Sequence, residues 1–173
     1  MHPAPAALAE TLLREWEART RPAPTPAYQA ARRPVLALLT EFCESLRADD
    51  PITVDAEDVR AVLHQSTAIG LGSAVAYGPD RASQAAASVI AAVRAQQLGP
   101  TPTAHPVLAL LAIRSGPDLE LQMDELTEIT ETVQTAFGQD LEMIFGHNDS
   151  AGLLGPALHV WLLVGYAAPV NSP

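Results

Sequence analysis

The run Val107-Leu-Ala-Leu-Leu-Ala-Ile-Arg-Ser-Gly116 is continuously apolar until its last turn, only ten residues long, and bounded by Pro106 and Gly116. A short apolar run with such ends reads as a buried strand. It divides the chain. Before it the apolar spacing is helical; after it come an amphipathic helix at 123–137, an alternating strand "DLEMIFG" at 140–146, and a longer strand "ALHVWLLVGYA" at 157–167. Helices followed by β-α-β-β predict an α+β fold, a two-layer sandwich of helices on a small mixed sheet.

The first half supplies those helices. Leu8, Leu12, Leu13 and Trp16 share one face of residues 5–19. The stiff "RPAPTP" that follows sets this helix apart. A second helical pattern runs from about Ala27 to Arg47, and Pro34 places the start of its regular part at the proline, where a first turn tolerates it. Cys43 falls on the apolar face with Leu36, Leu39 and Leu46, and reads as a small buried residue. Asp55 opens a third helix through about Ile69, "GLGSAVAYGPD" reads as a glycine-bearing loop, and Pro79 or Asp80 starts a fourth helix. In the helix at 123–137, Met123, Leu126, Ile129, Val133 and Phe137 are expected inward.

With 173 residues and a formal charge of −10, the chain is long enough for one real core and too acidic for a nucleic-acid partner. All ten basic residues are Arg, none lies beyond Arg114, and nine Asp or Glu residues follow that position. An anionic membrane surface is disfavoured for the same reason. No stretch approaches the length of a bilayer span, and Glu10, Arg14, Glu15 and Glu17 break up any signal-like run. A soluble, cytoplasmic protein is expected. The lone Cys43 rules out an internal disulfide or thiolate zinc cluster, and no metal or cofactor is expected. "GLGSA" lacks the Lys-Ser/Thr ending of a phosphate loop. His147-Asn148-Asp149 reads as a polar turn, and Asp124, Glu125, Glu128 and Glu131 as a solvated helix face.

The stretch "TVDAEDVR", Thr53–Arg60, carries the one pair of acids that has two readings. Asp55 is a good N-cap, and Asp58 suits the positive end of the helix that follows. Taken alone the cap is the favoured reading, because such capping signatures are common; half of an active site is the other.

Read with its flanks, "TVDAEDVRAVL" resembles the synergy loop of the FtsZ/tubulin family, whose pattern runs N-x-D-F-A-D-x-R. Four further stretches resemble that family in order: "GPDRASQAAASVIAA" its G-E-D-R-A helix start, "VLALLAIRSGPDLELQMDELTEITETVQ" its strand, turn and helix, "DLEMIFGHN" its strand ending in I-x-G, and "LHVWLLVGY" its terminal strand. The resemblance implies a C-terminal domain of this family standing alone, without the GTP-binding domain. It implies an amphipathic extension at 1–20, a Pro-rich linker at 21–27, the end of the family's central helix at 28–50, the C-terminal-like domain at 51–168 and a tail at 169–173.

In that family one subunit binds GTP and the next inserts its synergy loop to orient the attacking water, which a carboxylate near a metal-neutralised phosphate can do. Asp55, Asp58 and Arg60 match the two acids and the Arg. Thr53, Ala56 and Glu57 depart from the pattern's Asn, Phe and Ala. The resemblance therefore implies a module without catalysis of its own that binds or caps FtsZ or FtsZ-like filaments through Thr53, Asp55, Glu57, Asp58 and Arg60. Two alternatives stand beside it: the in-trans half of a split GTPase, supplying Asp55 and Asp58 to a separate nucleotide-binding chain, and a repurposed homo-oligomeric scaffold. Leu8, Leu12 and Trp16 are the candidate lid over the central helix, or a contact with a second copy.

Overall fold

The computed structural model describes residues 4–46, 54–100, 104–149 and 155–168. Among these described residues five helices and five strands follow in the order α1 (Pro5–Thr20), α2 (Pro26–Ser45), α3 (Ala56–Gln65), β1 (Ala68–Ala76), α4 (Arg81–Ala95), β2 (Gln97–Leu98), β3 (His105–Ser115), α5 (Met123–Phe137), β4 (Glu142–Asp149) and β5 (Leu158–Ala167). One sheet holds all five strands in the order β2-β1-β5-β3-β4. Only β3 and β4 run parallel, joined by α5; the other pairs are antiparallel. This is an α+β fold on a mixed sheet, as the apolar patterning predicts.

The sheet and the α4/α5 layer make the expected two layers, and α1–α3 add a third on the opposite face. Side chains alternate accordingly. Trp161 and Leu163 of β5, with Leu108 and Leu110 of β3, pack into one cluster with Leu12, Leu13, Trp16, Leu39, Phe42, Val59 and Val62. Val160, Leu162 and Val164 of β5, with Leu111 and Ile113 of β3, pack into the other with Val89, Val93, Ile129 and Val133. Burial on both faces is why these strands read as unbroken apolar runs rather than alternating ones. Cys43 is buried in the first cluster, 5 % exposed.

Five local expectations are corrected. The third helix, expected through about Ile69, ends at Gln65, because Ile69 already lies in β1, paired with Gly165 of β5. "GLGSAVAYGPD" is largely strand: β1 takes in Gly70 and Gly72, where a Cβ would meet Val93 Cγ1 at 2.9 Å and Val89 O at 2.7 Å. Those glycines let α4 approach the backbone of an inner strand, a use that looks like a loop on paper. Pro34 lies inside α2, which starts eight residues earlier at Pro26 behind the N-cap Thr25. The helix continues past the missing donor because it is held on both sides of it, by Arg32 pairing with α1 and by buried Val35 and Leu39. His147-Asn148-Asp149 is not a turn but the end of β4, paired with Ile113, Arg114 and Ser115. Met123 stands 75 % exposed at the first position of α5, outside the core face that Ile129 and Val133 make.

Candidate functional site

Asp55 precedes the first turn of α3 in extended backbone, and its Oδ1 accepts from the amides of Glu57 at 2.8 Å and Asp58 at 3.1 Å. Asp58 reciprocates: its Oδ2 accepts from the amide of Asp55 at 2.9 Å. The pair is a complete capping box, so the structural reading of the two acids is realised. The cap occupies one oxygen of each carboxylate and leaves the other outside it. Glu57 projects outward, its side chain 76 % exposed. Thr53 lies outside the described residues.

Arg60 does not stand free beside these acids. Its guanidinium bonds Glu57 one turn back and donates from Nε to Glu15 Oε2 of α1 at 2.9 Å. The far end of α3 is tied to the same helix: the Trp16 indole donates to Ser66 O at 3.2 Å, and Arg19 donates to Leu63 O at 2.7 Å and to Ser66 O. Those carbonyls are among the acceptors that a helix C-terminus leaves over, and α1 satisfies them. Thus α3 is capped at one end by its own acids and at the other by α1.

Of the three lid residues, Leu12 and Trp16 are buried at 0 % and 2 % exposure and Leu8 is half-buried. All three pack into the α1–α3 core of their own chain. Charged contacts fix α1 to α2 as well. Arg32 grips Glu17 through Nε at 2.6 Å and Nη2 at 3.1 Å, reaches Glu10 at 3.1 Å, and the Tyr28 hydroxyl donates to Glu17 at 2.7 Å. Burial raises the Glu17 carboxyl, but Arg32 and Tyr28 together hold it below the ordinary carboxylate value; Arg32 and then Arg14 lower that of Glu10.

A second polar group, not predicted by the sequence reading, lines the same end of the sheet. Ser73 Oγ of β1 lies 2.7 Å from His159 Nε2 of β5, with Glu41 of α2 at 3.5 Å from the hydroxyl and 3.6 Å from the imidazole. His159 stacks on Trp161 with ring centroids 3.4 Å apart, and Arg114 sits over the same indole at 5.6 Å. Burial, then the Arg114 charge, lowers the His159 pKa to about 4; Glu41, half exposed, does not offset them. Ser73, His159 and Glu41 do not form a nucleophilic triad, because the carboxylate and the hydroxyl meet the same ring nitrogen instead of opposite ones. The sequence offered one signal for this group, polar residues on inward-facing positions of otherwise apolar strands.

Among the described residues no group of three or more His, Cys, Asp or Glu is arranged to hold a metal ion, and no helix is long and apolar enough to cross a membrane. The acidic face of α5 is not wholly solvated, because Glu125 turns inward to Arg81.

No family model and no curated protein matches the chain. Solved structures do. An FtsZ dimer from M. jannaschii matches with a TM-score of 0.57 at 20 % identity, over 79 % of this chain and 38 % of that one. TubZ from Bacillus thuringiensis serovar israelensis, solved as GDP-form protofilaments, matches with a TM-score of 0.57 at 12 % identity, over 82 % and 38 %. CetZ1 from Haloferax volcanii, a GDP-bound monomer, matches with a TM-score of 0.51 at 14 % identity, over 88 % and 42 %. The chain spans about two-fifths of the length of these structures, as a fragment resembling a C-terminal domain would, and over that span its fold is that of the FtsZ and TubZ structures.

Proposed function

We propose that this chain is an interaction module that docks on FtsZ or an FtsZ-like nucleotide-binding protein through the N-terminal face of α3, and thereby binds or caps its filaments. The observation that carries this reading is the exposed acidic start of α3 on a helix that α1 holds rigid. Asp55, Glu57 and Asp58 present their charge at a fixed position, and a partner that meets them must offer a cationic or metal-neutralised surface. The similar structures include a dimer and a protofilament, which is the kind of assembly such a face would join. Co-sedimentation with FtsZ polymers tests it. Wild-type protein is expected to pellet with the polymer or to shorten it, and the triple variant Asp55→Asn, Glu57→Gln, Asp58→Asn to lose that effect. Neither binding nor any change in polymer by wild-type protein sinks the reading.

A second reading has one specific support: each capping carboxylate keeps an oxygen outside the cap. Those oxygens could orient a water on a nucleotide held by another chain, completing a GTPase in trans. Asp55→Asn with Asp58→Asn preserves the cap acceptors while removing the charge. Stimulated GTP hydrolysis should disappear with binding intact; unchanged hydrolysis rejects this alternative. A homo-oligomeric scaffold would instead show self-association without an FtsZ-like partner, read by sedimentation.

A further inference from the structure

The Trp161 indole Nε1 and the Asn148 amide Oδ1 are buried, and neither has a hydrogen-bond partner among the described residues. Trp161 is 3 % exposed. Both residues line one cavity of about 20 Å³, walled also by Ser45 at the end of α2, Val54 just before the α3 cap, and Arg114 of β3. The indole cannot turn away to find another acceptor. His159 stacks on it, Arg114 lies over it, and Phe42 meets it at a centroid distance of 6.3 Å. The backbone of Asn148 is held in β4, in register with Arg114.

We propose that this cavity is a binding site for a single ordered water, which accepts from Trp161 Nε1 and donates to Asn148 Oδ1. Apolar cavities stay dry, whereas a polar one needs only about 10–15 Å³ and two to four partners to hold a water. The volume admits one heavy atom and no larger ligand. The chemistry selects water too: an indole N–H faces a cation with the wrong polarity, an amide oxygen faces an anion with the wrong polarity, and the occupant must both accept and donate. Bridging β4 to β5 across the intervening β3, in a cavity that Val54 also lines, the water joins the last strand of the sheet to the residue that precedes the acidic start of α3.

The chain's two tryptophans make the test internally controlled, since the Trp16 indole already donates to Ser66 O. In ¹⁵N-labelled protein, the Trp161 indole proton should show cross-relaxation to a long-lived water, of opposite sign in laboratory-frame and rotating-frame spectra. The Trp16 proton should show none, and Trp161→Phe assigns the signal. Asn148→Leu removes the acceptor and should abolish the cross-peak. No cross-peak in the wild type overturns the proposal, and an undiminished one in the variant overturns the bridge. Should Asn148→Leu fail to fold, a high-resolution crystal structure of the wild type decides: density within hydrogen-bond reach of both atoms supports the site, and a dry cavity rejects it.

Discussion

Arg81 sets Nε 2.7 Å from Oε1 of Glu125 and Nη2 2.7 Å from Oε2, a bidentate pair whose guanidinium is wholly buried. The same side chain donates to the carbonyls of Leu119, Glu120 and Pro156, each at 3.0 Å. One residue at the start of α4 therefore pins the α5 N-terminus, the turn leading to it and the approach to β5. Glu125 is held below the ordinary carboxylate value, first by Arg81 and then by the amide of Gln122, against burial.

Removing one partner of such a pair leaves the other charge buried and several carbonyls unmet. Arg81→Ala should lower unfolding free energy by about 3–5 kcal/mol. Arg81→Lys should recover only part of that, since an ammonium cannot make the fork. Urea denaturation followed by circular dichroism measures both.

His159 gives the stability a pH dependence with a defined sign. Its folded pKa, about 4, lies below the ordinary value of 6.5, so on acidification the unfolded chain takes up the proton first. The folded state is therefore favoured above pH 6.5, and the advantage is lost between about 6.5 and 4, with a slope of at most about 1.4 kcal/mol per pH unit. His159→Gln should flatten that window. The depressed carboxyls of Glu10 and Glu17 act in the same direction, but only below their ordinary value of 4.5, and Glu17→Gln should leave the upper window unchanged. Unfolding free energies measured between pH 3 and 8 separate the two.

The capping box predicts a contrast. Asp55→Ala should cost about 1 kcal/mol, and Asp55→Asn little, because the amide oxygen can replace the carboxylate as acceptor. Equal losses for both would show that charge, not the cap, is what stabilises α3. Thermal denaturation distinguishes them.

The role of α1 is tested by what its loss exposes. Trp16→Ala should destabilise by about 3–5 kcal/mol. Deleting residues 1–21 should uncover the α3 and α2 faces and cause aggregation or a change in oligomeric state, read by sedimentation. The Glu15–Arg60 pair lies at the surface, and a double-mutant cycle should return less than about 1 kcal/mol.

The strands and helices legible in the sequence are those whose burial leaves a periodic trace: α5 over 123–137, β5, and the Asp55 cap. What the sequence hid has a physical reason each time. In β1 the alternation is carried by Gly70 and Gly72, whose packing partners touch backbone and so leave no side-chain pattern. In α2 a proline masks a helix that tertiary contacts extend through it. Glu125 reads in the letters as part of a solvated face, and nothing near Arg81 marks it as buried, because pairing across 44 residues has no local signature. For the candidate site, the capping geometry was visible in the letters of Asp55 and Asp58, whereas the tether of Arg60 to Glu15, and the polar cluster around Trp161, depend on the fold bringing separate helices and strands together.

β5 lies between β1 and β3, yet the ribosome makes it after both. Until residues 158–167 are synthesised, the nascent chain carries two unfilled strand edges facing each other, and neither apolar layer can close over its middle. Completion of the sheet is therefore a late event in biosynthesis, and a chain stalled before Leu158 offers an open slot of the shape that strand-exchange and chaperone capture exploit.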